Sequence, residues 1–270
     1  MNAQMKKAIK DLPKLRQFVK ELIAVVEELL SRPIRYKPDD HLAFMALGFT
    51  CAQLEHLKAI CTLVDAGHHK DAALIARTMI EGLCGLLWAA QKPESRPLLW
   101  RRFSIIDDFR IVDPAVWKAN PRAAQELEEK LKRYGPDFYT KKAKQAEKQG
   151  KPLPKDPYWR RWSEDHPVKD LCDEVKAGDL YERIYRDVSC WIHWSPRGIG
   201  RCLEVEGPQV KYRMDAPDMA ATALAAGFQS LLETALVLDS HLELDFGKKM
   251  EELRTRFVTE LSDQRSSRLE

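Results

Sequence analysis

Residues 71–90 read DAALIARTMIEGLCGLLWAA. Ala, Leu, Ile and Met occupy nearly every side of this stretch, which predicts a helix. A helix apolar on most of its sides sits centrally in a bundle. Arg77 and Glu81 interrupt the apolar run. Unpaired charges are costly in such surroundings, and Arg before Glu at i,i+4 is the weaker order for a local pair. Each is therefore expected to find a partner on another helix.

The segments on either side repeat the helical pattern. Upstream, Leu15, Phe18, Val19, Leu22, Ile23, Val26, Leu29 and Leu30 follow a 3–4 spacing that predicts a helix over 12–30, with Pro13 near its start. Asp39 and Asp40 are candidate N-caps for a helix that runs to about Ala66 and stops at Gly67. Downstream, helices are expected over 97–110, from Pro114, over 119–133, over 167–176 and over 180–193. Pro217-Asp218 opens another to about His241, and Phe246 to Leu261 forms the last. The alternation Leu203, Val205, then Val210, Tyr212, Met214 around Gly207-Pro208 predicts one short β-hairpin near 202–214. The expected fold is an all-α helical bundle carrying that hairpin. We expect a single domain over 1–270, with a basic, mobile excursion at about 139–160 and a loose tail at about 262–270.

Bulk properties exclude several classes. The chain has 270 residues, 44% hydrophobic and 31% charged, so it is neither disordered nor membrane-embedded by composition. Apolar runs fall short of the roughly 18 residues a span needs. The N-terminus, Met1 to Lys10, carries Lys6, Lys7 and Lys10, and the amphipathic stretch after it carries Lys14, Arg16 and Lys20, unlike the uninterrupted apolar core of a signal peptide. A cytoplasmic protein with no membrane partner is expected. None of the six cysteines forms a C-x-x-C pair, so buried thiols are expected in place of a zinc site or a disulfide framework. His68 and His69 follow Gly67 without a third ligand at plausible spacing, and read as capping or surface residues. Walker, G-x-G-x-x-G and G-x-S-x-G patterns are missing, and no metal or other cofactor is expected.

The net charge of +3 is unevenly spread. From Lys130 to Arg161 there are eleven Lys or Arg against three acids. Lys141, Lys142, Lys144, Arg160 and Arg161 are candidates for holding a phosphate backbone. Tyr134, Tyr139, Tyr158, Trp159 and Trp162 interleave with them and could stack on unpaired bases. A solvated charged loop is the alternative.

The stretch that carries chemistry is 181–194, YERIYRDVSCWIHW. Arg186 and His193 are seven residues apart, two helical turns, and so share a helix face, with Ser189 between them. Arg, a polar residue and a later His resemble the R-x(4–6)-H motif of the HEPN superfamily, with Asp187 in the polar position. The chain also looks like a bacterial family known only as a domain of unknown function. That family joins an R-x-x-x-E helix, here Arg77 to Glu81, to a W…Y-x-x-x-Y-R-x-x-S-x-x-x-H segment. In this chain the second segment is Trp162, Tyr181, Tyr185, Arg186, Ser189 and His193. The likeness spans roughly Leu42 to Pro196.

The resemblance implies a helical bundle that dimerises and, in active members, cleaves RNA without metal. His193 would be the general acid/base, since imidazole titrates near neutrality. Arg186 would grip phosphate through paired hydrogen bonds. Asp187 or Ser189 would orient His193 or a phosphate oxygen. Arg77, Glu81 and Tyr185 would support the site, with Glu81 expected to pair with Arg186. The leading expectation is a metal-independent endoribonuclease acting on RNA as a homodimer, as a toxin or an anti-phage effector. The alternative is a non-catalytic helical module that binds nucleic acid or a partner protein.

Overall fold

In a computed structural model, residues 3–111, 113–192, 195–200, 203–212 and 216–266 are described. The fold is all-α, as the periodicity predicts, with a single two-stranded hairpin among the described residues. The chain divides into two compact units, Met1–Trp88 with Val168–Glu270, and Ala89–Pro167. The sequence reading expects one domain throughout.

The first unit is built on long helices. α1 (Ala3–Ser31) and α2 (His41–Asp65) are followed by α3 (His69–Ala90), whose last residues begin the second unit. α1 begins well before Leu12, so Pro13 lies inside it and not at its start. Asp40 caps α2, its Oδ1 accepting from the Ala43 amide at 2.9 Å. His241 Nε2 holds the same carboxylate at 2.9 Å. Gly67, just beyond α2, has φ +82, a conformation that favours glycine at a helix end.

α12 (Pro217–Leu242) packs against α1 and α2, and α13 (Gly247–Ser266) against α1 and α12. Leu22, Val26, Leu57, Ile60, Met79, Ile80, Phe228 and Leu231 make the buried core between them. Gly227 permits the close approach of α12 to α2, because a Cβ there would lie 2.7 Å from Leu57 Cδ1. Gln53 on α2 donates from Nε2 to the Met79 carbonyl at 2.8 Å, a hydrogen bond across to α3. By length and mean hydropathy (1.4), α3 and α12 match membrane spans, contrary to the run-length reading. Both are core helices of this unit, with 61% of the matching window buried. α13 continues to Ser266, past the expected end at Leu261, because Glu260 to Arg265 are tolerated in a polar helix. Residues 267–270 of the expected tail lie outside the described residues.

The second unit holds α4 (Arg96–Ile111), α5 (Pro114–Ala119), α6 (Pro121–Tyr134), a 3₁₀ turn (Gly135–Phe138) and α7 (Lys141–Lys148). α6 has no buried residue, in keeping with its charged sequence. Phe103, Ile106 and Phe138 form the core, flanked by Leu99, Leu131, Tyr158, Trp159 and Trp162. The segment expected as a mobile excursion folds onto this core. Tyr139 pairs with Tyr158 through a β-bridge and stacks on it at 5.7 Å. Thr140 caps α7, whose Ala143 is buried. The apolar anchor of α7 is one small alanine, which leaves no hydrophobic period to read in the sequence.

The first unit resumes with α8 (Val168–Glu174) and α9 (Gly178–Leu180). A π-helical turn (Tyr181–Tyr185), α10 (Arg186–Ile192) and α11 (Pro196–Gly200) follow. β1 (Leu203–Glu206) then pairs antiparallel with β2 (Gln209–Tyr212), Leu203 facing Tyr212 and Val205 facing Val210. The hairpin therefore stands where the alternation places it. Cys202 and Met214, at its expected limits, lie outside the described residues.

Candidate functional site

The site is organised by the segment 181–192. In the π-turn the Arg186 amide reaches back to the Tyr181 carbonyl, five residues earlier. Such a widened turn shifts the angular position of every following side chain, and π-turns recur at functional sites. It places Tyr185 inward, only 7% exposed.

Tyr185 meets the two charges of α3. Its hydroxyl accepts from Arg77 Nη2 at 2.5 Å and donates to Glu81 Oε2 at 3.2 Å. The hydroxyl thus links the cation and the carboxylate. The Arg77 guanidinium also lies over the Tyr185 ring, 4.2 Å from its centroid. Arg77 Nε donates to Ser189 Oγ at 3.0 Å, and Ser189 Oγ donates to the Tyr185 carbonyl at 2.6 Å. Tyr181 stacks on Tyr185 at 5.2 Å. Arg77, Glu81, Tyr185 and Ser189 are one network that ties α10 to α3.

The expectation that Arg77 and Glu81 find partners on another helix holds, but the partner assigned to Glu81 does not. Arg186 pairs with Glu182, Nη1 to Oε2, at 3.0 Å, and its side chain is 71% exposed. Successive helical residues are turned by about 100°. With Tyr185 facing Glu81, Arg186 is carried round to solvent. The Glu182 carboxylate beside it raises its pKa further, so the guanidinium stays charged. Ser189 also differs from the expected orienting role. It lies one turn beyond Tyr185 on the inner face, where its proton and an oxygen lone pair are engaged by the network. Asp187 is half-buried on α10 next to Arg186. His193, the expected acid/base, lies outside the described residues.

The end of α10 is fixed by a corner that sequence reading did not single out. The Cys190 carbonyl accepts from the Ser195 amide at 3.2 Å and from Ser195 Oγ at 2.9 Å. Ser195 Oγ accepts in turn from the Gly198 amide at 3.2 Å. A Cβ at Gly198 would lie 2.3 Å from the Cys190 oxygen, so α11 folds this tightly against α10 only with glycine there. Ser-Pro at 195–196 is the sequence signal of this turn. Lys70, only 6% exposed, lies 5.5 Å from the Trp191 ring centroid and 5.1 Å from that of Tyr212. It connects the start of α3, the end of α10 and the hairpin. No spacing rule marks it. Beside it, His69 Nδ1 accepts from the Ala216 amide at 3.0 Å, at the start of α12.

The second unit contains the basic candidates. Lys141, Lys142, Lys144, Arg160 and Arg161 are all exposed. The aromatics expected to stack on bases are instead used within the unit. Trp159 meets Phe138 edge to face at 5.7 Å, and Tyr158 meets both Tyr139 and Phe109. Lys144 lies 5.5 Å from the Trp159 ring centroid. The unit therefore presents cations at its surface, while Tyr158, Trp159 and Trp162 are half-buried against its core.

A family model described as a family of unknown function, DUF5677, matches residues 43–210. No curated protein and no solved structure matches the chain. The match runs from the first turn of α2 into β2, including both Arg77–Glu81 and 181–193, and the chain belongs to that family.

Proposed function

We propose that this member of the DUF5677 family is a metal-independent endoribonuclease of HEPN type. The observation that carries the reading is the division of labour on α10. Its inner face is held by Arg77, Tyr185, Glu81 and Ser189, while Arg186 stands 71% exposed on a helix that cannot easily turn. A solvent-facing guanidinium on an anchored helix can meet a phosphate through paired hydrogen bonds. By sequence, His193 follows Arg186 by seven residues.

In the proposed reaction the RNA 2′-hydroxyl attacks the adjacent phosphorus. His193 takes the hydroxyl proton as base and, as the imidazolium, returns it to the departing 5′-oxygen as acid. Arg186 neutralises the phosphate as negative charge builds on its oxygens. Asp187 is the group left to orient the imidazole. The products are a 2′,3′-cyclic phosphate and a 5′-hydroxyl. The remainder of the proposal rests on the HEPN resemblance: a homodimer in which two such helices form one composite site, and a cytoplasmic role as a toxin or anti-phage effector.

The test is cleavage of single-stranded and transfer RNA in EDTA by wild type, His193→Ala and Arg186→Ala. Cyclic-phosphate products from wild type, lost in both folded variants, are expected. Equal cleavage by His193→Ala would sink the mechanism. The second reading is an RNA-binding module without cleavage. It is favoured by the exposed cations of the second unit, and RNA binding with intact RNA in every sample would select it.

A further inference from the structure

Two thiols outside the α10 site meet in the core of the first unit. Cys84 lies on α3 and Cys172 on α8, and both have no exposed surface. Their sulfurs are 2.6 Å apart. That separation is only about half an ångström longer than an S–S bond. Cys51, Cys61 and Cys190 have no such neighbour among the described residues.

The position of the pair in the chain is as informative as the distance. The second unit runs from Ala89 to Pro167. Cys84 comes just before its first residue and Cys172 just after its last. The two sulfurs thus meet where the chain leaves the first unit and where it returns.

We infer that Cys84 and Cys172 form a reversible disulfide, a covalent clip between α3 and α8 within the first unit. The hydrogen bond from Cys84 lowers the pKa of Cys172. The same bond, burial and the nearby Glu81 carboxylate raise that of Cys84. Cys172 is therefore the first to ionise and the attacking sulfur. The oxidant is a small-molecule disulfide. The Cys172 thiolate attacks one of its sulfurs, and the other sulfur departs as a thiolate. Cys84 then gives up its proton and attacks the Cys172 sulfur of the mixed disulfide, expelling the second small thiol. One S–S bond is broken and one is formed, and two electrons and two protons pass to the oxidant. Because both sulfurs are buried, α8, only seven residues long, must lift from α3 to admit the reagent.

The experiment uses the folded, full chain treated with oxidised glutathione or with dithiothreitol, then alkylated in denaturant. Non-reducing peptide mapping of the oxidised sample should give one cross-linked pair containing Cys84 and Cys172, two hydrogens lighter than the separate peptides. Limited proteolysis at the exposed Lys151 supplies a second readout that needs no variant. The two fragments should migrate together in non-reducing SDS after oxidation and separate after reduction. Cys172→Ser should abolish the link. Full alkylation of both cysteines after oxidation would overturn the inference. So would their recovery as glutathione adducts or as links to other cysteines, or separation of the oxidised fragments.

Discussion

The two faces of α10 meet the same kind of group in opposite circumstances, one brought by α3 and one carried by α10 itself. On the inner side, Arg77 is received by a ring, a phenol hydroxyl and a serine, and it holds α10 to α3. On the outer side, Arg186 has one exposed carboxylate, Glu182, a turn away on its own helix. The inner arginine has its hydrogen-bonding capacity directed by neighbours; the outer one keeps most of its fork open to a ligand. The contrast teaches that, in a motif rich in charge, the position relative to the anchored face decides which residue can act. Adjacent positions such as 185 and 186 fall on different sides of that line.

The sharpest way to break this comparison is to remove each arginine in turn. Arg186→Ala should lower RNA cleavage by roughly 100-fold or more, the range for losing one preorganised charge at a transition state. Its melting temperature should match wild type, since an exposed pair such as Arg186–Glu182 contributes little. Arg77→Ala should do the reverse. It leaves the Glu81 carboxylate half-buried and removes the fork from Tyr185 and Ser189. We expect a loss of about 3 kcal/mol in denaturant unfolding, less than a fully buried pair would cost. Arg77→Lys should recover only part of it, because an ammonium cannot serve both oxygens and lie flat on the ring. If Arg186→Ala destabilised the protein as much as Arg77→Ala, the division between faces would fail.

The same division marks how far the sequence could be read. Long helices were legible because α1, α2, α3 and α12 each bury a repeating face, and Asp40 and Gly67 have chemistry that suits helix ends. The hairpin was legible from alternation around Gly207. Arg77 and Glu81 announced themselves as charges in an apolar helix, and the need for outside partners followed from their cost. The identity of those partners did not follow. A π-turn over 181–185 leaves no mark in composition, yet it sets which of Tyr185 and Arg186 faces α3. The second unit was hidden for a different reason. Its core rests on aromatics spaced irregularly between 103 and 162, and periodicity does not detect packing between residues so far apart. Lys70 escaped notice because its two rings, Trp191 and Tyr212, are distant in the chain.

The corner after α10 offers a smaller test of the same idea, that orientation and not residue type makes the outer face competent. Gly198→Ala would set a methyl group against the Cys190 carbonyl, a backbone atom that cannot swing away. A cost of about 2 kcal/mol is expected from forcing α11 off α10. RNA cleavage should fall further than this stability loss explains, because the Cys190 end of α10 would be displaced. Unchanged cleavage in a destabilised protein would show that the corner serves folding alone.

The smallest expected effect isolates the phenol hydroxyl. Tyr185→Phe keeps the ring, and with it the stacking on Tyr181 and the guanidinium above its face. It deletes only the oxygen that links Arg77 to Glu81. Both charged groups are half-buried, so water can replace part of what is lost, and the cost should be about 1 kcal/mol. A cycle with Glu81→Gln measures the coupling directly. Strong coupling would mean that the hydroxyl sets the register of the π-turn, and with it the outward direction of Arg186. Coupling near zero would assign that register to the ring and to Ser189, and would make the hydroxyl a replaceable bridge within an anchor that holds without it.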